Sequence, residues 1–183
     1  QNELADIIYE FSSLLRNNIS DERETTLKQE VEFCRKYSYL CMVRYPKSIA
    51  YGFKIDPELE EMRIPKFTLQ PLVENYFAHG VDHRRTDNVI SIKALKKDGY
   101  VEILVTDNGR GMSAEKLAAI QAKLAQRTFE HTADYKEQRQ SIGIVNTHER
   151  FVLYFGDRYN INVESAEQKG VQYRITIQDE EKG

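Results

Sequence analysis

Asp107-Asn108-Gly109-Arg110-Gly111 carries more information than any other part of this 183-residue chain. It follows directly on Tyr100 to Thr106, where apolar and polar residues alternate with period two, so it delivers a carboxylate at the end of a half-buried strand. A carboxylate so placed can accept a hydrogen bond from the exocyclic amine of adenine. The two glycines would let backbone approach a flat ring without side-chain obstruction. Taken alone, the same residues also read as a surface turn, because Asn-Gly is a common turn dipeptide.

Working outward, Asn88 to Leu95 alternates in the same way and is joined to Tyr100 by Lys96-Lys97-Asp98-Gly99, whose Asp-Gly signals a tight hairpin. Ile161 to Ser165 and Val171 to Ile177 make a second pair around a loop containing Gly170. Ser48 to Ile55 is a further strand, stopped by Asp56-Pro57, and a charged turn runs on to Arg63. The sheet is therefore expected to be mostly antiparallel.

The remaining segments have helical period. Leu4, Ile7, Ile8, Phe11, Leu14 and Leu15 form one stripe, and Thr26 with Gln29 is a capping-box pattern opening a second helix with Leu27, Val31, Cys34, Tyr37, Leu40 and Cys41. Together they predict a helical hairpin. Thr68 is a plausible cap for the next helix, with Pro71 in its first turn and Leu69, Leu72, Val73, Tyr76 and Phe77 buried. Ser113 caps a helix through Leu117, Ile120 and Leu124, a polar stretch fills Arg127 to Gln140, and helix returns from Gly143 to Phe155 before Gly156-Asp157. A long polar connection of that kind is usually functional.

Two further clusters join the first. Asn75 and His79, four apart on a helix, share a face, whereas Glu74 lies about 100° round toward Gln70. The Asn amide oxygen is a hard neutral ligand suited to Mg²⁺, and a neighbouring carboxylate can deprotonate or orient an attacking group. Gly143, ahead of a helix, can present free N–H groups to phosphates. Arg150 can pair with a carboxylate or phosphate, although a solvated surface arginine is the default reading. Each cluster has an ordinary alternative as a solvated helix face or loop glycine; their occurrence in one order points to a nucleotide pocket.

Charge narrows the field. With 26 Lys and Arg against 29 Asp and Glu, the net charge of −3 supplies no basic face for nucleic acid. Cys34 and Cys41 lie seven apart, about 10 Å along one helix, too far to bridge each other, and read as reduced thiols. No apolar run reaches the roughly 18 residues of a membrane span.

Leu69-Gln70-Pro71-Leu72-Val73-Glu74-Asn75 with His79-Gly80, Asp107 to Met112, and Gly143-Ile144-Val145-Asn146 with Glu149-Arg150-Phe151 and Leu153-Tyr154-Phe155-Gly156 resemble the catalytic part of LytS/YesM-type sensor histidine kinases, members of the GHKL superfamily. The resemblance implies an α+β fold, a two-layer α/β sandwich of GHKL (Bergerat) type. Its sheet would be mixed and mostly antiparallel, residues 1–46 the helical remainder of a dimerisation and phosphotransfer region, and 47–183 the ATP-binding domain. It implies ATP and Mg²⁺, with Asn75 as metal ligand, Glu74 and Asn75 catalytic, and Asp107 anchoring adenine. Gly109, Gly111 and Met112 would shape the base pocket, His79 would join the nucleotide-binding set, and Gly143 and Ile144 would lie near the phosphates. Residues 113–140 would be a lid.

The same resemblance implies a response regulator as partner, a homodimer through the N-terminal helices, and a cytoplasmic position in a cell-membrane sensor. The phosphoacceptor of such kinases lies in a segment like Pro-His-Phe-Leu-Phe-Asn, and none of His79, His83, His131 and His148 has that context. The acceptor is therefore expected upstream of the chain. Ser141, Tyr76 and Ala78 depart from the family pattern, which commonly has a glycine, a small residue and a basic residue there; lower ATP affinity is the expected consequence. A module that keeps the fold and senses nucleotide or binds protein without transfer is the rival reading, and an ATP-hydrolysing machine of the same superfamily a more distant one.

Overall fold

The computed structural model describes residues 23–44, 49–127 and 142–180. The first predicted helix, around Leu4 to Leu15, lies outside them, as does most of the polar stretch 127–140. Strand β1 (Glu24–Thr26) leads into helix α1 (Leu27–Arg44), and β2 (Ile49–Ile55) and β3 (Arg63–Pro65) follow. Helix α2 (Gln70–Asn75) runs on into a π turn at Tyr76–Gly80. Then come β4 (Asn88–Lys97), β5 (Tyr100–Asp107), α3 (Ala114–Leu124), α4 (Ile142–Phe155), β6 (Tyr159–Ser165) and β7 (Val171–Gln178).

Five strands form the main sheet in the order β2-β4-β5-β7-β6, with β2 parallel to β4 and every other pair antiparallel. The expected mixed, mostly antiparallel sheet is thus present. Register puts Phe53, Ile92, Val105, Tyr173 and Val163 side by side across all five strands, and this apolar face packs under the helices. Period two then decides where Asp107 points. Two residues beyond Val105 on the same strand, it faces the helices and not the solvent.

Helix α1 starts with the predicted capping box: the Gln29 N–H donates to Thr26 Oγ1 at 3.2 Å and the Thr26 N–H to Gln29 Oε1 at 3.3 Å. Its Leu27, Val31 and Cys34 join the same core as the sheet. Helix α4 buries Ile144, Thr147, His148, Phe151 and Phe155 at helical spacing, and the Phe151 ring stacks on Tyr159 at 5.0 Å and 9°. The short antiparallel pair β1 and β3, residues 24–26 against 63–65, was not expected where a charged turn was predicted.

The start of α2 is held by a device that the sequence did not announce. Thr68 does not cap it; the Thr68 hydroxyl donates to the Pro65 carbonyl at 2.9 Å. Glu30 of α1 takes the capping role, although it is 38 residues from Thr68. Glu30 Oε1 accepts from the amides of Thr68 at 2.7 Å, Leu69 at 3.0 Å and Gln70 at 3.5 Å, while Oε2 accepts from Phe67 at 3.2 Å. The carboxyl is only 3% exposed, and burial pushes its pKa up against the downward pull of these four amides.

Phe67 itself has a left-handed φ of 58°, costly for an L-residue, and Arg150 holds that turn by donating to the carbonyls of Lys66 at 3.1 Å and Phe67 at 2.8 Å. Arg150 therefore binds backbone oxygens, neither pairing with an anion nor standing free in solvent. Thr147 adds a hydrogen bond to the Thr68 carbonyl at 3.0 Å. Glu30→Ala is expected to lower unfolding free energy by about 3 kcal/mol, because it leaves buried amides without their acceptor. Urea denaturation of the chain checks this, and a loss below about 1 kcal/mol would contradict it.

Candidate nucleotide site

Helix α2 carries Glu74 and Asn75 to its end, where the π turn closes with the Val81 N–H donating to the Tyr76 carbonyl at 3.1 Å. The wider turn still leaves Asn75 and His79 on one side, as the spacing predicted, and both line a cavity of about 50 Å³. Across it stand Asp107, Gly111 and Met112 from the loop after β5, and Ile144 from the first turn of α4. Three clusters far apart in sequence therefore meet at one place.

The loop after β5 is fixed by backbone contacts from two sides. The Arg110 N–H donates to the Gly80 carbonyl at 2.7 Å, and a Cβ on Gly109 would lie 2.3 Å from that same oxygen. Only glycine allows the π turn and the loop to touch there. Gly111 has φ 67°, and its Cβ would meet the Ala166 carbonyl oxygen at 1.9 Å. On that flank the Gln168 N–H donates to the Arg110 carbonyl at 2.6 Å and the Met112 N–H to Ser165 Oγ at 2.9 Å. The β6–β7 turn thus clamps the loop in place.

Asp107 is 8% exposed, and burial raises its carboxyl to about 6 despite hydrogen bonds accepted from the Gly109 amide, at 2.8 Å, and the Val171 amide. Such a group is an acceptor that water barely reaches. Gly109 backs Asp107 from behind and does not itself line the cavity. Gly143 stands against Asn75, where a Cβ would lie 3.4 Å from Asn75 Nδ2, so the start of α4 sits directly beside the amide. Asn75 also reaches the Tyr173 hydroxyl.

Glu74 is placed differently from its neighbour. It accepts from Gln70 Nε2 at 2.5 Å on the flank of α2 that faces Cys34, Tyr37 and Cys41, outside the cavity wall. Tyr76, Lys116, Ile120, Val171 and Tyr173 line the cavity without having been picked out as site residues. Two of them were within reach of pattern alone: Lys116 and Ile120 are four apart on the helix that Ser113 caps, its Oγ accepting from the Lys116 N–H at 3.3 Å. That helix, Ala114–Leu124, occupies the first part of the expected lid and donates from Gln121 Nε2 to the Val163 carbonyl at 3.0 Å; the expected lid residues 128–140 lie outside the described residues.

A sheet covered on one face by helices, with a buried Asp at a strand end, Gly-rich backbone against it and an Asn at a helix end, is the arrangement that the resemblance to the GHKL superfamily implied. Residues 66–181 match the model of the histidine kinase-, DNA gyrase B-, and HSP90-like ATPase family, and residues 1–49 match a histidine kinase family. The chain belongs to this ATPase family. The sensor histidine kinase YesM of Bacillus subtilis is 31% identical over 178 residues, covering 97% of this chain and 28% of its own. The sensor protein LytS of Oceanobacillus iheyensis is 28% identical over 164 residues, covering 88% of this chain and 27% of its own.

The chain thus spans roughly a quarter of the length of these relatives (28% and 27%). The histidine kinase domain of an Erythrobacter litoralis blue-light activated kinase superposes with a TM-score of 0.52 at 16% identity, over 96% of this chain and 74% of that one, which supports the fold. Gly109→Ala is expected to force the π turn and the loop apart and so weaken nucleotide binding at least about tenfold, as a methyl group has no space at 2.3 Å from a backbone oxygen. Fluorescent-nucleotide titration checks this, and unchanged affinity would contradict the close approach.

Proposed function

We propose that this chain is the ATP-binding catalytic region of a two-component sensor histidine kinase, passing the γ-phosphoryl group of ATP to a histidine in a segment upstream of it. The observation that carries the reading is the meeting of Asn75, Asp107, Met112 and Ile144 on one cavity. The site residues have these roles. Asp107 accepts from the adenine amine, Met112, Ile120 and Ile144 exclude water from the base, and the glycine-shaped loop supports one side of the ring.

Asn75 suits a divalent cation that arrives with the nucleotide. It offers one hard oxygen beside the start of α4, and the described residues hold no group of three or more His, Cys, Asp or Glu able to bind a metal by themselves. Bound with ATP, Mg²⁺ would neutralise charge developing on the transferred group. Glu74, outside the cavity on the flank of α2 that faces α1, is the carboxylate for the acceptor imidazole. As the imidazole nitrogen bonds to the γ-phosphorus, the bond to the β–γ bridging oxygen breaks and ADP leaves with that oxygen. The displaced N–H proton passes to Glu74, which must first release Gln70.

On this reading residues 1–46 belong to a dimerisation and phosphotransfer region and 47–183 to the catalytic domain, and the phosphoryl group moves on to an aspartate of a response regulator. No described helix is long and apolar enough to cross a membrane, and we assign the chain to the cytoplasmic portion of a membrane sensor that works as a homodimer. The intact protein, incubated with MgATP labelled at the γ-phosphoryl group, is expected to gain acid-labile, base-stable label. Asn75→Asp should reduce the rate by about 100-fold. Tight MgATP binding with no label on the intact protein would favour the sensing or interaction module instead.

A pH profile follows from Asp107. Its carboxyl titrates near 6 in the free chain, and the ionised form is the one that accepts from an amine, so adenine nucleotide affinity is constant above that value and falls as pH drops through it. By linkage the fall approaches about tenfold per pH unit below 6. Asp107→Asn should bind adenine nucleotides more weakly and remove this slope. Titrations between pH 5 and 8, run on both proteins and corrected for protonation of the phosphates, check the sign; equal slopes would contradict the role of Asp107.

A further inference from the structure

One side chain in the pocket has no structural account. Tyr76 stands where the family resemblance leads one to expect a small residue; it is 2% exposed, lines the cavity, and its hydroxyl has no hydrogen-bond partner among the described residues. A buried hydroxyl left unpaired is unfavourable, and native chains rarely keep one without a use. The ring cannot easily swing away. It is wedged beneath Gly80, whose Cβ would lie 2.7 Å from Tyr76 Cδ2, and it meets the Phe77 ring edge-on at 5.3 Å. The charges of Asp107, Arg85 and Asp87 act on the hydroxyl, and a phenol O–H can donate.

A donor on a wedged ring therefore lies within electrostatic reach of a buried acceptor, and both residues line one cavity. The complementary ligand edge has a donor and an acceptor side by side, and an adenine ring has this where its exocyclic amine adjoins the ring nitrogens N1 and N7. We propose that the Tyr76 hydroxyl is a base-reading contact, donating to the adenine ring nitrogen next to the amine that Asp107 holds. The proposal rests on the nucleotide reading above and makes it more specific: this chain recognises adenine through two side chains, one of them its own departure from the family pattern.

Tyr76→Phe removes the hydroxyl and nothing else. It is expected to leave the free chain as stable as the wild type or slightly more so, since an unpaired buried group is lost, while weakening ATP binding about tenfold. The two readouts move in opposite directions, which a merely structural tyrosine would not produce. A second measurement uses 1-deaza- and 7-deaza-ATP. One of them should bind wild type about tenfold more weakly than ATP, yet bind Tyr76→Phe as well as ATP does, the two losses being of one hydrogen bond.

Equal ATP affinity of Tyr76→Phe and wild type, or full additivity with both deaza analogues, would overturn the contact and leave the nucleotide site standing. A marked loss of stability in the free variant would also overturn it, by showing that the hydroxyl already serves the fold. Absence of ATP binding by the wild-type chain would instead remove the nucleotide reading itself.

Discussion

The carboxylate of Glu30 is the constraint on which the site geometry depends. Helix α2 has only six α-helical residues before the π turn, too few to set its own direction, and its leading amides point into the core, away from water. One buried carboxylate gathers four N–H groups at this start, and the first of these residues, the left-handed Phe67, is pinned from α4 by Arg150. With its start so held, α2 can end at one place, and that place is Asn75 on the cavity wall. Glu30 lies in the segment matched as histidine kinase, and the amides it holds lie in the segment matched as ATPase. The tie therefore joins the two matched parts of the chain through a single charged group.

The opposite wall is rigid for a different reason. Between the π turn and the β6–β7 turn, Gly109 and Gly111 of the loop after β5 carry no side chain, so backbone packs on backbone there and the hydrogen bonds of Gly80, Arg110 and Gln168 lock the loop. Against this scaffold the Asp107 carboxyl is held poorly solvated, which raises its pKa and at the same time reserves its free lone pairs for a ligand donor. Among the described residues, Lys116 and His79 are the basic side chains on the cavity wall. A nucleotide would thus meet a preformed polar anchor in an otherwise apolar setting, the arrangement in which one hydrogen bond discriminates most.

Much of this was legible because it is local. Alternation placed all five strands of the main sheet and left Asp107 at a strand end, Asp98-Gly99 marked the hairpin, and Thr26 with Gln29 marked the start of α1. The three clusters converge as their residue types implied, with Glu74 to one side as its helical angle required. What was missed is long-range. Glu30 sits at an ordinary helix position, and nothing near it says that its carboxylate will meet amides 37 to 40 residues later. The pair β1 and β3 is three residues long on each side, too short for a period to show, and a π turn differs from an α turn by one residue and has no compositional mark. Arg150 read as a surface arginine or an anion partner; the carbonyls it binds belong to a turn whose conformation could not be foreseen.

The central claim, that α2, the loop after β5 and the start of α4 form one nucleotide site, is tested most directly by titrating the chain with MgATP while following its backbone amide resonances. Shifts concentrated at residues 75–80, 107–112 and 143–144 are predicted. Saturable shifts confined to the groove at the other end of the sheet, around Met62, Tyr154, Arg158 and Gln178, or no shifts at millimolar MgATP, would contradict it.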